Sequence, residues 1–482
     1  MYNVVELSLE GIHLEKFLRQ IPPIHELQRD SAYQELLQKY RIETATLTNI
    51  VKTIIEEIRV SIQKDEWNGL FPGTDDFLEY LFQKVEENLK NKLDFTLKSV
   101  VNATGTILHT NLGRARLSRN AMNHVMEIAE GYSNLEYQLE KGERGSRHSH
   151  VEELVKEITG AESAMIVNNN AAAVYLVLRA LAKNKEVVVS RGQLVEIGGS
   201  FRISSIMEES GAKLIEVGTT NKTHIYDYEG AISEETAILL KVHTSNFKVI
   251  GFTKEVCTKE LAQLAQRHEH LIFYEDLGSG ALYDYRKHGI GEEPVVSEVL
   301  KMGADLVSFS GDKLVGGPQA GIIAGKKIYI DRLKKHQLAR VIRVDKMTLA
   351  ALEGTLLDYL KGEEGRKNIP VYRDILATKE EIRLRAEAFV NRLKSVNDQL
   401  CMNVVDGTSQ VGGGTMPDVK IPTAIITLSH KILSAEEIAR RLRIDFQSAI
   451  IVRIQKENIQ IDLRTVSVEE EEEIFIALRE IL

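Results

Sequence analysis

The spacing of apolar and polar positions divides the chain into three textures. Up to about residue 70 the apolar residues recur at helical intervals. Leu14, Phe17, Leu18 and Ile21 share one face, Pro22-Pro23 ends that element, and an amphipathic pattern resumes from Tyr33 to Trp67. The turn-forming residues from Asn68-Gly69 to Pro72-Gly73 read as a domain boundary, with a further helix leading to Leu97. From about 100 to 330, short apolar runs at 164–167, 186–189, 213–217, 238–242, 271–274, 305–309 and 321–324 alternate with helical segments. That alternation predicts a mostly parallel sheet covered on both faces, an α/β fold. A basic, helix-like stretch covers 326–361. From 366 a smaller α+β domain is expected, ending in strands at 450–454 and 459–463 and an amphipathic helix to Leu482. The acidic run from Glu469 to Glu473 falls near the start of that helix, where negative charge suits the dipole. The expected domains are 1–70 (helical), 71–365 (α/β) and 366–482 (small α+β).

Composition narrows the function classes only a little. With 61 Lys and Arg against 70 Asp and Glu, the net charge is −9. This argues against a basic coat for non-specific nucleic-acid binding and leaves local basic patches open. No apolar run approaches the roughly 18 residues that span a bilayer, and the first residues lack a basic segment followed by an apolar one. The expectation is a cytoplasmic protein with no membrane partner. Cys257 and Cys401 lie outside any CxxC or Cys/His cluster, so they read as structural residues in a reducing compartment, and no metal site is expected.

Ligands of parallel sheets bind beyond the carboxyl ends of the strands, so the residues after each run carry the chemistry. After 164–167 come Asn168, Asn169, Asn170 and Ala171. Small and amide residues at a helix start let an anion approach free backbone N–H groups, although an ordinary Asn-capped helix has the same sequence. After 271–274 comes Asp276, within EDLGSG, a carboxylate able to hold a cationic ring nitrogen or a metal. After 305–309 comes Ser310-Gly311-Asp312-Lys313, a lysine in a glycine-rich loop suited to a Schiff base or to phosphate. The order of Lys313 and Gly317 breaks the GxxxxGK[ST] pattern, which removes a P-loop. Taken together, a phosphate-binding helix start, then an Asp, then a Lys match the order of a pyridoxal-phosphate (PLP) pocket of fold type I, the aminotransferase-like kind. Asp276 would keep the ring nitrogen protonated, Lys313 would hold the cofactor and move a proton, and Ser310 would reach the phosphate. His243, directly after 238–242, is placed with the cofactor-binding residues.

Several longer blocks resemble the bacterial selenocysteine synthase family, the L-seryl-tRNA(Sec) selenium transferases. They are VNATGTILHTNLGRA at 101–115, YSNLEY at 132–137, RGSRHSH at 144–150, SRGQLVEIGGSFR at 190–202, VGTTN at 217–221 and KVHTSN at 241–246. SGDK at 310–313, VGGG at 411–414 and DLRTV at 462–466 continue the likeness, which spans roughly 18–470. The resemblance implies Lys313 as the PLP lysine with Asp312 important beside it. It also implies Arg114, Arg340 and Arg343, with Thr219 and Thr220, as the anion site for selenophosphate. Guanidinium forks suit such an anion. The implied reaction joins serine, esterified to tRNA(Sec), to PLP. Loss of the α-proton and β-hydroxyl leaves a dehydroalanyl group, and selenium adds to it. The hydroxyl needs an acid, for which His109, His148 and His243 are the candidates. The resemblance further implies that the N-terminal helical domain contacts tRNA and that subunits form a homo-oligomer, a ring of dimers such as a decamer. Pro23 and His25 depart from the family's usual Ser and Asp, a difference bearing on tRNA contacts and not on the chemistry.

Two other readings fit parts of the sequence. A PLP-dependent lyase or aldolase of a small free amino acid would share the pocket, and a non-catalytic tRNA-binding scaffold would share the outline. The retained N-terminal domain and full arginine set favour the tRNA enzyme over the first. An intact Asp276, Asp312 and Lys313 argue against the second.

Overall fold

The computed structural model describes residues 17–64, 66–194, 196–197 and 201–481. Leu14 and part of the block at 190–202 lie outside the described residues. The chain forms two compact units, Met1–Lys98 and Ser99–Leu482.

The first unit is helical, with helices Ser31–Tyr40, Thr44–Gln63 and Asp75–Leu93. The single amphipathic pattern expected across 33–67 is broken at Arg41, which takes a left-handed φ of 48°. Leu47, Val51 and Ile54 of the second helix share a core with Phe77, Leu81 and Leu89 of the third. Because the third helix completes that core, the unit runs to Lys98 and not to the boundary expected near 70. Asn68–Gly73 is a turn within it.

The second unit is built on seven strands: β1 (Ser163–Val167), β2 (Glu186–Ser190), β3 (Lys213–Val217), β4 (Thr236–Val242), β5 (Ile272–Gly278), β6 (Leu306–Ser310) and β7 (Gly321–Gly325). Their spatial order is β1-β7-β6-β5-β4-β2-β3, parallel except for β7, which runs against both neighbours. Alternate residues feed two separate cores. Val188, Leu239, Phe273 and Val307 face one, while Val187, Val189, Ile238, Leu240 and Leu306 face the other. This is why these strands read as continuous apolar runs. Each such fully buried aliphatic side chain contributes about 1.5–3 kcal/mol. The architecture is the α/β fold type I sheet that the sequence predicts.

The basic stretch 326–361 is three helices, Lys327–Lys335, Leu338–Val341 and Lys346–Leu360. Beyond it lies a four-stranded antiparallel sheet built on the hairpin β8 (Leu400–Gly412) and β9 (Thr415–His430), which the sequence reading did not contain. Gly412, Gly413 and Gly414 turn that hairpin with φ of 76°, 64° and 72°, a run open only to glycine. Helices Lys379–Lys394, Ala435–Ile444 and Val468–Glu480 cover the sheet through Ala386, Ile438 and Leu478.

Candidate active site

Strand register gathers several of the expected site residues at one end of the central strands. Gly321, the first residue of β7, sits opposite Val167 of β1 and Ser310 of β6. The Asn168–Asn170 turn and the Lys313 loop therefore leave the sheet side by side. A side chain at Gly321 would lie 2.1 Å from the Asn169 carbonyl oxygen, so only glycine allows that closeness. On the other side of β6, Asp276 of β5 pairs with Ser308, and Val242 of β4 pairs with Asp276. His243 follows at once, and its backbone N–H donates to the Asp276 carbonyl at 2.8 Å.

Asn169 caps helix Asn170–Leu181, its side chain accepting from the Ala172 N–H at 2.9 Å. The Asn170 and Ala171 N–H groups at that start have no intrahelical acceptor. The Asn168 N–H donates to the Ile342 carbonyl at 3.0 Å, which ties the turn to the segment carrying Arg340 and Arg343.

Asp276 lies inside β5, not after it as the run 271–274 implied, and is 5% exposed. Its Oδ1 accepts from Asn170 Nδ2 at 2.8 Å and from the Gly278 N–H at 3.1 Å, with Ser308 Oγ at 3.4 Å. Burial still pushes its carboxyl above the ordinary aspartate range. Asn170 Oδ1 is buried without a partner.

The Lys313 loop is closed at its base, the Gly311 N–H donating to the Ala320 carbonyl at 2.8 Å and the Gly317 N–H to the Gly311 carbonyl at 2.9 Å. Lys313 is 8% exposed, and its amine makes no hydrogen bond or ion pair among the described residues. Burial, reinforced by the Arg114 guanidinium, holds that amine below the usual lysine value. The adjacent Asp312 receives Arg114 Nη1 at 2.9 Å. Arg114 itself sits at a φ of 63°, rare for a side-chain-bearing residue, with its N–H on the His109 carbonyl at 3.1 Å. Ser310 is buried at the end of β6.

These residues fit PLP on four counts. A buried carboxylate suits a cationic ring nitrogen, a buried amine is biased toward its neutral nucleophilic form, a helix start offers N–H groups without intrahelical acceptors, and the Asn170 that opens that helix has a buried amide oxygen without a partner.

The expected anion set is less compact within one chain. Arg340 and Arg343 line a cavity of about 420 Å³ with Arg144, Arg147, Lys334 and Lys335, where Glu136 is the opposing carboxylate. Thr219 and Thr220 lie in the turn after β3, beside Ser190, Gln193 and Thr244. Arg114 is bound to Asp312. The structure thus places the five residues in three locations.

The three histidines also separate. The Nδ1 of His148 faces the Ile166 N–H at 3.4 Å, and burial lowers its value to about 4, so it is neutral near pH 7. His109 Nδ1 is buried without a partner. His243 Nε2 lies 3.3 Å from Oε2 of Glu293, a residue 7% exposed that also receives the Ser279 hydroxyl. Sequence reading missed Glu293, which follows no strand.

A family model described as L-seryl-tRNA selenium transferase matches residues 100–467. The chain is 47% identical over 456 residues to an L-seryl-tRNA(Sec) selenium transferase of Clostridium botulinum, covering 94% of this chain and 96% of that one. It is 49% identical over 436 residues to the protein of the same name from Clostridium perfringens, covering 90% and 93%. Among solved structures it is similar to D-glucosaminate-6-phosphate ammonia-lyase, with a TM-score of 0.55, 24% identity, and coverage of 82% of this chain and 97% of that one. That last likeness is one of fold.

Proposed function

The chain belongs to the L-seryl-tRNA selenium transferase family, and from that membership we propose that it converts L-seryl-tRNA(Sec) to L-selenocysteinyl-tRNA(Sec) with PLP as cofactor and selenophosphate as selenium donor. The observation that carries the reading is the buried pair Lys313 and Asp276 with the half-buried helix start at Asn170, assembled by strand register at one end of the central strands.

Lys313 would hold the cofactor, Asp276 would face its ring nitrogen, and the Asn170 and Ala171 N–H groups with Ser310 would receive its phosphate. When bound, PLP supplies an electron sink for negative charge at the serine α-carbon. Lys313 Nζ, whose charged form burial disfavours, is the base for the α-proton. Asn170 donates to the Asp276 carboxylate and favours its charged form against the opposing effect of burial. Asp312 holds Arg114 next to the lysine, and the guanidinium biases the amine toward its uncharged state. Of the three histidines, His243 alone stands next to Asp276 with a carboxylate partner, which favours it for handling the proton of the departing hydroxyl.

The cavity around Arg340 and Arg343 has the cationic lining that a selenophosphate site needs. Since Arg114, Thr219 and Thr220 lie elsewhere in the same chain, the reading includes a homo-oligomer in which a second copy brings the groups together. The helical unit 1–98 is assigned to tRNA(Sec), and the cytoplasm is the compartment this substrate implies. Among the described residues no helix is long and apolar enough to cross a membrane. The test is product analysis: PLP-loaded protein, seryl-tRNA(Sec) and selenophosphate should yield selenocysteinyl-tRNA(Sec), and Lys313→Ala should yield none.

A further inference from the structure

Glu293 precedes helix Val296–Lys301 and is buried, with no lysine or arginine within ion-pair distance among the described residues, although its charge acts on the Lys313 amine from farther off. A buried carboxylate with no cation in contact is unfavourable unless its oxygens are used. Both are used here, and each points to the site from a different direction. Oε2 lies 3.3 Å from His243 Nε2, and His243 is joined through its backbone to Asp276. Oε1 accepts from the Ser279 hydroxyl, and the Ser279 carbonyl accepts at 3.2 Å from the N–H of Leu314, the neighbour of Lys313. One carboxylate therefore connects the residue beside the ring-nitrogen aspartate to the loop that carries the lysine.

We propose that Glu293 is a positioning residue that fixes the ring of His243. A carboxylate next to Nε2 selects the tautomer with its proton on that nitrogen and holds the plane of the imidazole. Nδ1 is then the free ring nitrogen, with no hydrogen bond among the described residues. His243 is thereby presented to the cofactor site in one orientation. The inference rests on the PLP reading of the pocket.

The test is equilibrium binding of PLP to the full-length apo protein, read by visible absorbance and by circular dichroism of the bound cofactor. Glu293→Ala should weaken PLP binding about tenfold and change the dichroic band. Glu293→Gln, whose carbonyl oxygen can still face Nε2–H, should restore most of the affinity. In a His243→Ala background, Glu293→Ala should add nothing. Thermal melts report whether each variant folds. If Glu293→Ala does not fold, Glu293→Asp replaces it in the same cycle, since it keeps the charge and withdraws it by one methylene.

Equal losses in the wild-type and His243→Ala backgrounds would mean that Glu293 acts through Ser279 and the loop, which overturns the proposal. So would unchanged affinity and dichroism in Glu293→Ala, provided the wild type binds PLP. If the wild type binds none, the cofactor reading fails, and this inference fails with it.

Discussion

Asn170 donates its side-chain amide to Oδ1 of Asp276 across 2.8 Å, joining the first residue of a helix to a carboxylate buried in a strand 106 positions away. Two features that the sequence presents as separate candidates, an Asn-rich helix start and a strand-borne aspartate, are thus one hydrogen-bonded unit.

That contact stabilises the charged form of Asp276 against burial. Asn170→Leu removes it and should weaken PLP binding about tenfold, in line with about 1–3 kcal/mol for a lost buried partner. A PLP titration of the apo variant checks this. Unchanged affinity would mean that the helix start and the aspartate work independently.

Asp276→Asn separates stability from function. Burial raises the Asp276 carboxyl in the folded protein, so the folded state binds its proton more readily than the unfolded chain does. Its contribution to stability is therefore present below the unfolded value and lost as pH rises through the folded one. Near pH 7 the apo variant should melt at a higher temperature than the wild type. Its transferase activity should fall by at least about a hundredfold, because a neutral amide cannot hold the ring nitrogen protonated. Calorimetry across pH and a turnover assay measure the two effects.

Arg114→Gln removes a cation that disfavours the Lys313 ammonium and releases the Asp312 carboxylate from its pair. Both changes raise the lysine's affinity for its proton. The rate at which the PLP absorbance band forms in the apo protein should then need a higher pH, with its midpoint moving to the alkaline side. An unmoved or acid-shifted midpoint would remove Arg114 from the control of Lys313.

Arg340→Ala and Arg343→Ala each open the cavity beside Glu136 without touching the Lys313 loop. Each should raise KM for selenophosphate about tenfold or more and leave the PLP spectrum and the KM for seryl-tRNA unchanged. A rise in the seryl-tRNA KM alone would assign the cavity to RNA.

The central strands other than the half-exposed edge strand β3 were legible because both faces of the sheet are covered, which makes runs such as Val187-Val188-Val189 apolar without interruption. The order Asn170, Asp276, Lys313 was legible because each belongs to or directly follows one of those runs. The hairpin Leu400–Gly412 and Thr415–His430 was missed because one of its faces is exposed, leaving Asn403, Asp406 and Lys420 among the apolar positions. The boundary near 70 failed because Asn68–Gly73 turns the chain inside a single core, where the 77–89 face still packs. Glu293 was illegible for a different reason. Its role depends on a contact 50 residues away in sequence, and nothing local to GEEP announces His243. The scattered placement of Arg114, Thr219 and Arg340 could not be read from three motifs that carry no mutual distance.

The most direct measurement is the visible spectrum of the PLP-loaded protein, titrated separately with seryl-tRNA(Sec) and with free serine, followed by selenophosphate and analysis of the tRNA-bound amino acid. The account predicts a PLP band that shifts with seryl-tRNA(Sec) alone, and selenocysteine on the tRNA afterwards. A band that responds to free serine and ignores the charged tRNA would make this a lyase of small amino acids, and a protein that takes up no PLP would contradict the account entirely.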